Sequence, residues 1–455
     1  MAVVSAVSTI VFVLAPRIAL GWATALITLA TFAHLVLAVS RARVPLAVII
    51  VAGAGMLTTA VAAEPHGTDL WVYQSYGRLI VEYHDNPYVT PPVEHLDDPV
   101  IHRMHGYYIG DRAIYGPVLM GLAAVSAATT GTDYTAARLF WQGLAALAVA
   151  LAAWLLWRRT GQAGLVLFLL NPLVVYQVVH LAHIDAVIGL ALLAGVLLAE
   201  RERWVWAALA FTVAALVKAP LALVPVALLL YLVFAGRRRI AARCAGASAA
   251  LALPLVLAVG PRGMVGALNA SSGLLNKSAW AYPLRGGARV ALLEIVDHPQ
   301  LSAPRALTAA IGLAGLVLVA YVARSMARGG SANPGADVLV VVIAAIVALL
   351  VIGVYTSPWS FAWLLTLLPL TSPRFGRLAA THAAMFHLST RWLLFAAFAV
   401  WGSWSTARLL DSAAALLYLA QLALGGAVLV AVLRRPTSAR PCGPRPMSVL
   451  DTPRA

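Results

Sequence analysis

The sequence predicts an all-α, polytopic membrane protein of about 12–14 transmembrane helices with a large outer first loop that contains juxtamembrane helices. Three observations predict it. Hydrophobic types make up 62% of the 455 residues and charged types 11%, far from the balance of a soluble chain. The apolar residues gather in runs of near-spanning length. The arginines fall as short clusters between those runs, so the net charge of +15 reads as a topology signal rather than a nucleic-acid-binding face.

The runs, in order, are Ala2–Ala15, Ala19–Val39, Pro45–Ala63, Ala136–Trp157, Ala163–Leu181, Ala186–Ala199, Trp204–Val217, Leu221–Ala235, Ala242–Val259, Ala306–Val322, Val338–Val354, Phe361–Leu370, Trp392–Trp404 and Ala413–Leu433. Several fall short of the ~20 residues a bilayer needs, so they tilt, extend through their flanks or stop at a cavity. Ala2–Ala15 lacks a basic leader and an evident cleavage site and reads as a retained helix. Residues 1–433 read as a single transmembrane domain, and the Pro- and Arg-rich 434–455 as a disordered cytoplasmic tail.

Orientation follows from the pairs Arg41/Arg43, Arg158/Arg159, Arg201/Arg203, Arg324/Arg328, Arg374/Arg377 and Arg434/Arg435 and the run Arg237–Arg239, all placed inside. An even number of crossings between clusters then puts the polar interruptions outside: the loop 64–115, His180–Asp185, Leu216–Pro220, the segment 260–300 and Tyr355–Trp359. Eight of the 17 carboxylates lie between Glu64 and Asp111, so the chemistry gathers on one face. Cys244 and Cys442 sit beside inner arginines and read as reduced thiols, with no disulfide framework and no CxxC spacing.

Asp69 opens an amphipathic, aromatic run, Leu70–Tyr83, that reads as a helix. Helix capping by Thr68 or Asp69 is one role; a general base near the water–lipid boundary is the other. Tyr73, Tyr76 and Gly77 share its helical face, as a sugar-stacking wall or an interfacial anchor would require. His180 and His183, three apart, also share a face and, with Asp185, read as a polar patch on a substrate path. A metal would need further ligands, and His66, His84, His95, His102 and His105 are scattered without spacing, so no metal or other cofactor is expected. Lys218 and Lys277 are the only lysines. With Arg78, Arg112 and Arg285 they are candidates to hold a phosphate, against snorkelling for Lys218 and an interfacial loop for the segment with Lys277 and Arg285.

The order TDLWVYQSYGRLI, DNPY, IYGP, NPLVVYQVVHLAHID and ALVKAPLALVP resembles the GT-C superfamily of polyprenyl-phosphate-sugar-dependent glycosyltransferases. It looks closest to the actinobacterial polyprenol-phosphate-mannose-dependent mannosyltransferases, most clearly from Pro45 to about Arg239. The resemblance implies a polyprenyl-phosphate-sugar donor, a cell-envelope glycan or glycolipid acceptor, and an active site on the extracytoplasmic face of a multi-pass membrane protein. It puts the base on Asp69, the NP and H-x-D region on Asn171, Pro172, His183 and Asp185, and the basic residue near the carrier phosphate on Lys218. Tyr115 of IYGP joins Tyr73 and Tyr76 as a substrate-contacting aromatic. The glycine common before the histidine is Ala182 here. A phosphate-linked sugar already carries a good leaving group, so a base and charge stabilisation suffice for single displacement with inversion. A transporter or flippase of lipid-linked sugars would share such a groove. It would, however, place its polar sites in broken helices of paired repeats near the midplane, and no repeat is visible.

Overall fold

The computed structural model describes residues 3–4, 6–7, 9–10, 44–65, 69–104, 108–260, 303–329, 333–351 and 358–371. The expected runs Ala19–Val39, Trp392–Trp404 and Ala413–Leu433, the segment 260–300 beyond Gly260 with Lys277 and Arg285, His66, His105 and the tail 434–455 lie outside the described residues. Among the described residues the regular structure is all helical, without a strand. In order the helices are α1 (Leu46–Ala62), α2 (Asp69–Val81), α3 (Pro117–Thr130), α4 (Tyr134–Thr160), α5 (Gln162–Leu169), α6 (Asp185–Glu200), α7 (Trp204–Val217), α8 (Leu223–Phe234), α9 (Arg238–Val259), α10 (Ala303–Arg328), α11 (Pro334–Val351) and the short α12 (Ala362–Leu365). Between α5 and α6 the stretch Val174–His180 winds as a π-helix.

By length and composition, α4 and α9 can each cross a bilayer, with mean hydropathies of 1.9 and 1.8. The expected Ala163–Leu181 span is instead bent by 59° between α5 and the π-helical stretch. The sequence supplies the reason: Pro172 has no N–H to continue the helix, and the Asn171 side chain accepts the Leu173 amide at 3.0 Å in place of a backbone carbonyl. Helices α1, α3 and α7 and the segments Ala219–Phe234, Pro334–Leu350 and Trp359–Leu370 are apolar but shorter. From Val338 to Ala348 every α11 residue is buried, the pattern of a helix that is apolar all round and central to its bundle. Only 11% of the apolar window of α9 is buried, so that helix lies at the periphery.

Helix boundaries follow local chemistry. The Asp133 carboxylate accepts the Thr135 and Ala136 amides and starts α4; Gly161, at φ 71°, ends it. Pro117 occupies the first position of α3. Helix α2 packs onto α3 through Gly77, where a Cβ would stand 2.1 Å from the Ala123 carbonyl oxygen. Gln74 ties the same corner to α4: its amide donates to Thr130 at 2.8 Å, and its carbonyl accepts from Ser126 at 2.7 Å and Trp141 at 3.2 Å.

The outer loop folds over α2. Asp98 accepts from Arg78 at 2.8 Å, from the Tyr83 hydroxyl at 3.1 Å and from the amides of Val100 and Ile101. Burial opposes ionisation of Asp98, but the Arg78 guanidinium and the Ile101 and Val100 amides outweigh it and hold the carboxyl below its ordinary value. Within DNPY, Asp85 pairs with His95 at 2.7 Å and the Tyr88 hydroxyl donates to the Tyr115 carbonyl at 2.5 Å. As a result Leu70 to Leu79 are all buried, and the amphipathic interfacial helix expected from the sequence is covered on every side.

Candidate active site

Asp69 stands in the first turn of α2, and its position is set from α4. Arg138 donates to the carbonyls of Val61, Ala62 and Ala63 at 2.9–3.2 Å, a cation on the carbonyl end of α1. One turn on, Gln142 donates to Ala60 at 3.0 Å, Ala63 at 3.2 Å and the His180 carbonyl at 2.8 Å. These two side chains clamp the entry to the outer loop against the end of the π-helical stretch. Asp69 and the His183 turn therefore meet at a defined place.

That turn has an unusual backbone. After the wide π-helical winding, Ala182 adopts φ 56°, a left-handed conformation that a Cβ disfavours. Alanine is thus a strained choice at a position that glycine fits without cost. We expect Ala182→Gly to leave thermal stability within about 0.5 kcal/mol, the relief of strain offsetting the added chain entropy, and Ala182→Val to lose about 1–2 kcal/mol. Melting of the purified variants measures both.

Past Ala182, the His183 ring turns to Asp69, with Nε2 3.2 Å from Oδ2. Its Nδ1 bonds the Gln177 carbonyl of the π-helical stretch. Trp359 stacks on the ring at 4.1 Å between centroids and 11° between planes. The adjacent Asp185, 1% exposed, caps a second pair: its Oδ1 lies 3.3 Å from Lys218 Nζ and accepts from Trp363 Nε1 at 2.7 Å. Lys218 also stands 5.1 Å over the Trp363 ring. The other Asp185 oxygen is buried with no hydrogen-bond partner among the described residues.

Tyr73 and Tyr115 join the two pairs, edge to face at 5.3 Å. Burial, then the Asp69 and Asp185 carboxylates nearby, push the Tyr73 hydroxyl well above the ordinary tyrosine range. Enclosure of its hydroxyl, followed by Tyr73 and Asp69, does the same to Tyr115. Both phenols stay neutral. The IYGP turn sits against the end of α7: the Gly116 amide donates to Val217 at 2.9 Å, and a Cβ on Gly116 would stand 2.1 Å from the Leu216 carbonyl oxygen. Its φ of −78° suits any residue, so space alone demands glycine. Gly116→Ala is expected to cost about 1–3 kcal/mol and displace Tyr115 from the Tyr73 ring, read as a lowered melting temperature with reduced turnover.

Asp69, Tyr73, Tyr115, His183, Asp185 and Lys218 are thus brought together from α2, the IYGP turn, the start of α6 and the break after α7. Other sequence-selected residues lie elsewhere or play other parts. Arg78, at the far end of α2 and about 13 Å along its axis from Asp69, is 8% exposed and engaged by Asp98 and Glu82. It holds the loop rather than a phosphate. Tyr76 is 2% exposed with its hydroxyl directed to the Asp111 carbonyl, and Tyr73 packs against Trp141 and Tyr115, so neither ring forms an open stacking wall. His180 and His183 do not act as one face: His180 Nδ1 lies 3.3 Å from the Ala60 carbonyl, because the π-helical winding and the left-handed Ala182 part them. Lys218 is a buried ion-pair partner rather than a snorkelling side chain. Arg112 is exposed on the strand of chain leading to Tyr115. Among the described residues no three His, Cys, Asp or Glu side chains are grouped to hold a metal ion.

The sequence reading missed Arg138, Gln142, Asp98, Trp359 and Trp363. Arg138 carried a signal, as an arginine near the outer end of an apolar run, and so did Trp359, in an interruption already placed outside.

The fold and site define a helical, membrane-type protein whose enclosed centre holds one His–Asp and one Lys–Asp pair under aromatic cover. Residues 2–236 match the family described as alpha-(1->6)-mannopyranosyltransferase, N-terminal domain, and the chain belongs to that family. It is therefore a glycosyltransferase, of a mannosyl-transferring family. None of the curated proteins matches the chain. The six clustered residues all fall inside the matched span, whereas Trp359 and Trp363, which cover them, lie beyond it.

Proposed function

We propose that the protein is an inverting mannosyltransferase of the membrane, moving mannose from a polyprenyl-phosphate carrier to a cell-envelope glycan or glycolipid at the outer leaflet. Asp69 is its general base. The acceptor hydroxyl gives its proton to the Asp69 carboxylate as its oxygen attacks the anomeric carbon, and the bond to the phosphate breaks on the opposite side. The single observation that supports this reading most is the meeting of Asp69 with His183 in a centre walled by Tyr73, Tyr115 and the Asp185–Lys218 pair, all within the family-matched span. The unpartnered oxygen of Asp185 suits a sugar hydroxyl. Since Asp185 already offsets Lys218, the charge for the leaving phosphate falls to Arg112, Lys277 and Arg285, helped by the amide end of α6.

In this reading residues 1–433 form one multi-pass unit with the site on the extracytoplasmic side, and 434–455 a cytoplasmic tail. The Trp363–Asp185 and Tyr231–Asp337 hydrogen bonds, which join distant parts of the chain, support a single unit. Family membership favours transfer over transport of the lipid-linked sugar. The test is release of radiolabelled mannose from polyprenyl-phosphate-mannose onto envelope glycans by the purified protein. No transfer from this donor, together with passage of labelled lipid across proteoliposomes, would turn the assignment to a flippase.

A further inference from the structure

Three contacts around His183 bear on where a proton resides. The Gln177 carbonyl can only accept, so Nδ1 must carry a hydrogen. A neutral imidazole has one N–H, which would leave a bare Nε2 lone pair facing the Asp69 oxygen at 3.2 Å. One further proton must therefore lie between Nε2 and Oδ2. Imidazole is the stronger base of the two groups in general, and the face of Trp359, parallel to the ring at 4.1 Å, favours a cation over a neutral ring.

We infer that His183 is an imidazolium built into the centre, a positioning residue that fixes the Asp69 carboxylate in its ionised form and leaves the pair positive once Asp69 has taken up the acceptor's proton. Among the described residues the neighbouring groups add no net charge to the pair: Asp185 and Lys218 neutralise one another, and Tyr73 and Tyr115 are uncharged phenols.

The inference rests on the transfer reaction proposed above and completes its charge balance. Before the step the Asp69–His183 pair carries one shared proton and no net charge. The acceptor O–H bond breaks, its proton passes to Asp69, the new C1–O bond forms, and the electron pair of the old C1–O bond leaves on the carrier phosphate. The pair then carries +1 as the phosphate gains one negative charge, so the two changes occur together and offset one another.

The experiment is ¹⁵N NMR of the full chain in proteoliposomes, labelled at its 11 histidines, for wild type, His183→Gln and Asp69→Asn. The expected result is an imidazolium signal, both ring nitrogens protonated at neutral pH, that is lost in His183→Gln and becomes a neutral Nδ1–H ring in Asp69→Asn. The Asp69→Asn spectrum makes the assignment without altering His183, should His183→Gln fail to fold. In turnover, His183→Gln lowers kcat about 100-fold with a smaller change in KM for the donor. A neutral His183 in the wild type, or an imidazolium indifferent to Asp69→Asn, overturns the inference even where mannosyl transfer is intact. Conversely, the imidazolium signal without any transfer would leave the ion pair standing and remove the proposed reaction.

Discussion

Asp69→Asn lowers kcat for mannosyl transfer by about 10²–10⁴-fold, the usual contribution of a positioned base, while leaving binding of the lipid donor unchanged. Asn keeps the size and hydrogen-bonding shape of Asp but cannot take up the acceptor's proton. The same substitution separates the two roles open to a residue in the first turn of α2. Asn is as good as Asp at satisfying free amides at a helix start, so a purely structural Asp69 would tolerate it. Asp69→Ala, by contrast, loses both functions and should also lower the melting temperature. Initial rates with labelled donor, beside thermal unfolding of both variants, make the comparison. Turnover by Asp69→Asn near that of the wild type would remove Asp69 from the chemistry.

The second large effect is on stability. Lys218→Met strands a carboxylate that is 1% exposed, and breaking a buried pair in this way costs about 3–5 kcal/mol. The penalty comes from the uncompensated charge of Asp185 more than from a lost attraction. Adding Asp185→Asn to Lys218→Met should therefore recover much of the loss, since a neutral amide still accepts the Trp363 N–H. A double-mutant cycle on thermal unfolding reads this directly. If Lys218→Met alone were as stable as the wild type, the ion pair would not be part of the native centre. Neither variant should restore transfer, because both remove an element next to Asp69 and Tyr115.

The residues that carry periodicity or a local break were legible in the sequence. Apolar runs predicted α1 and α4 to α11, no run was read at α3 (Pro117–Thr130), and Asp69 with Leu70–Tyr83 predicted α2 to within two residues at its end. The aromatic, carboxylate-rich loop and the HLAHID and LVKAP interruptions marked the places from which the site is drawn. Runs and interruptions are properties of neighbouring residues, so one chain suffices to see them.

Partnerships were not legible, because they join residues that only packing brings together. Nothing local distinguishes Arg78, which Asp98 withdraws into the loop, from Arg112, which stays exposed. Lys218 read as a lone cation until Asp185, 33 positions earlier, met it at 3.3 Å. The histidine pair was read at α-helical spacing, and the π-helical winding with a left-handed Ala182 sent its members to different partners. By itself the sequence determined an all-α, apolar chain with its chemistry in a few breaks, since composition and periodicity act over one or two turns. Tertiary structure alone decided which charges are cancelled and which face the centre, since that depends on contacts between α2, the α5–α6 break, the end of α7 and the tryptophans after α11.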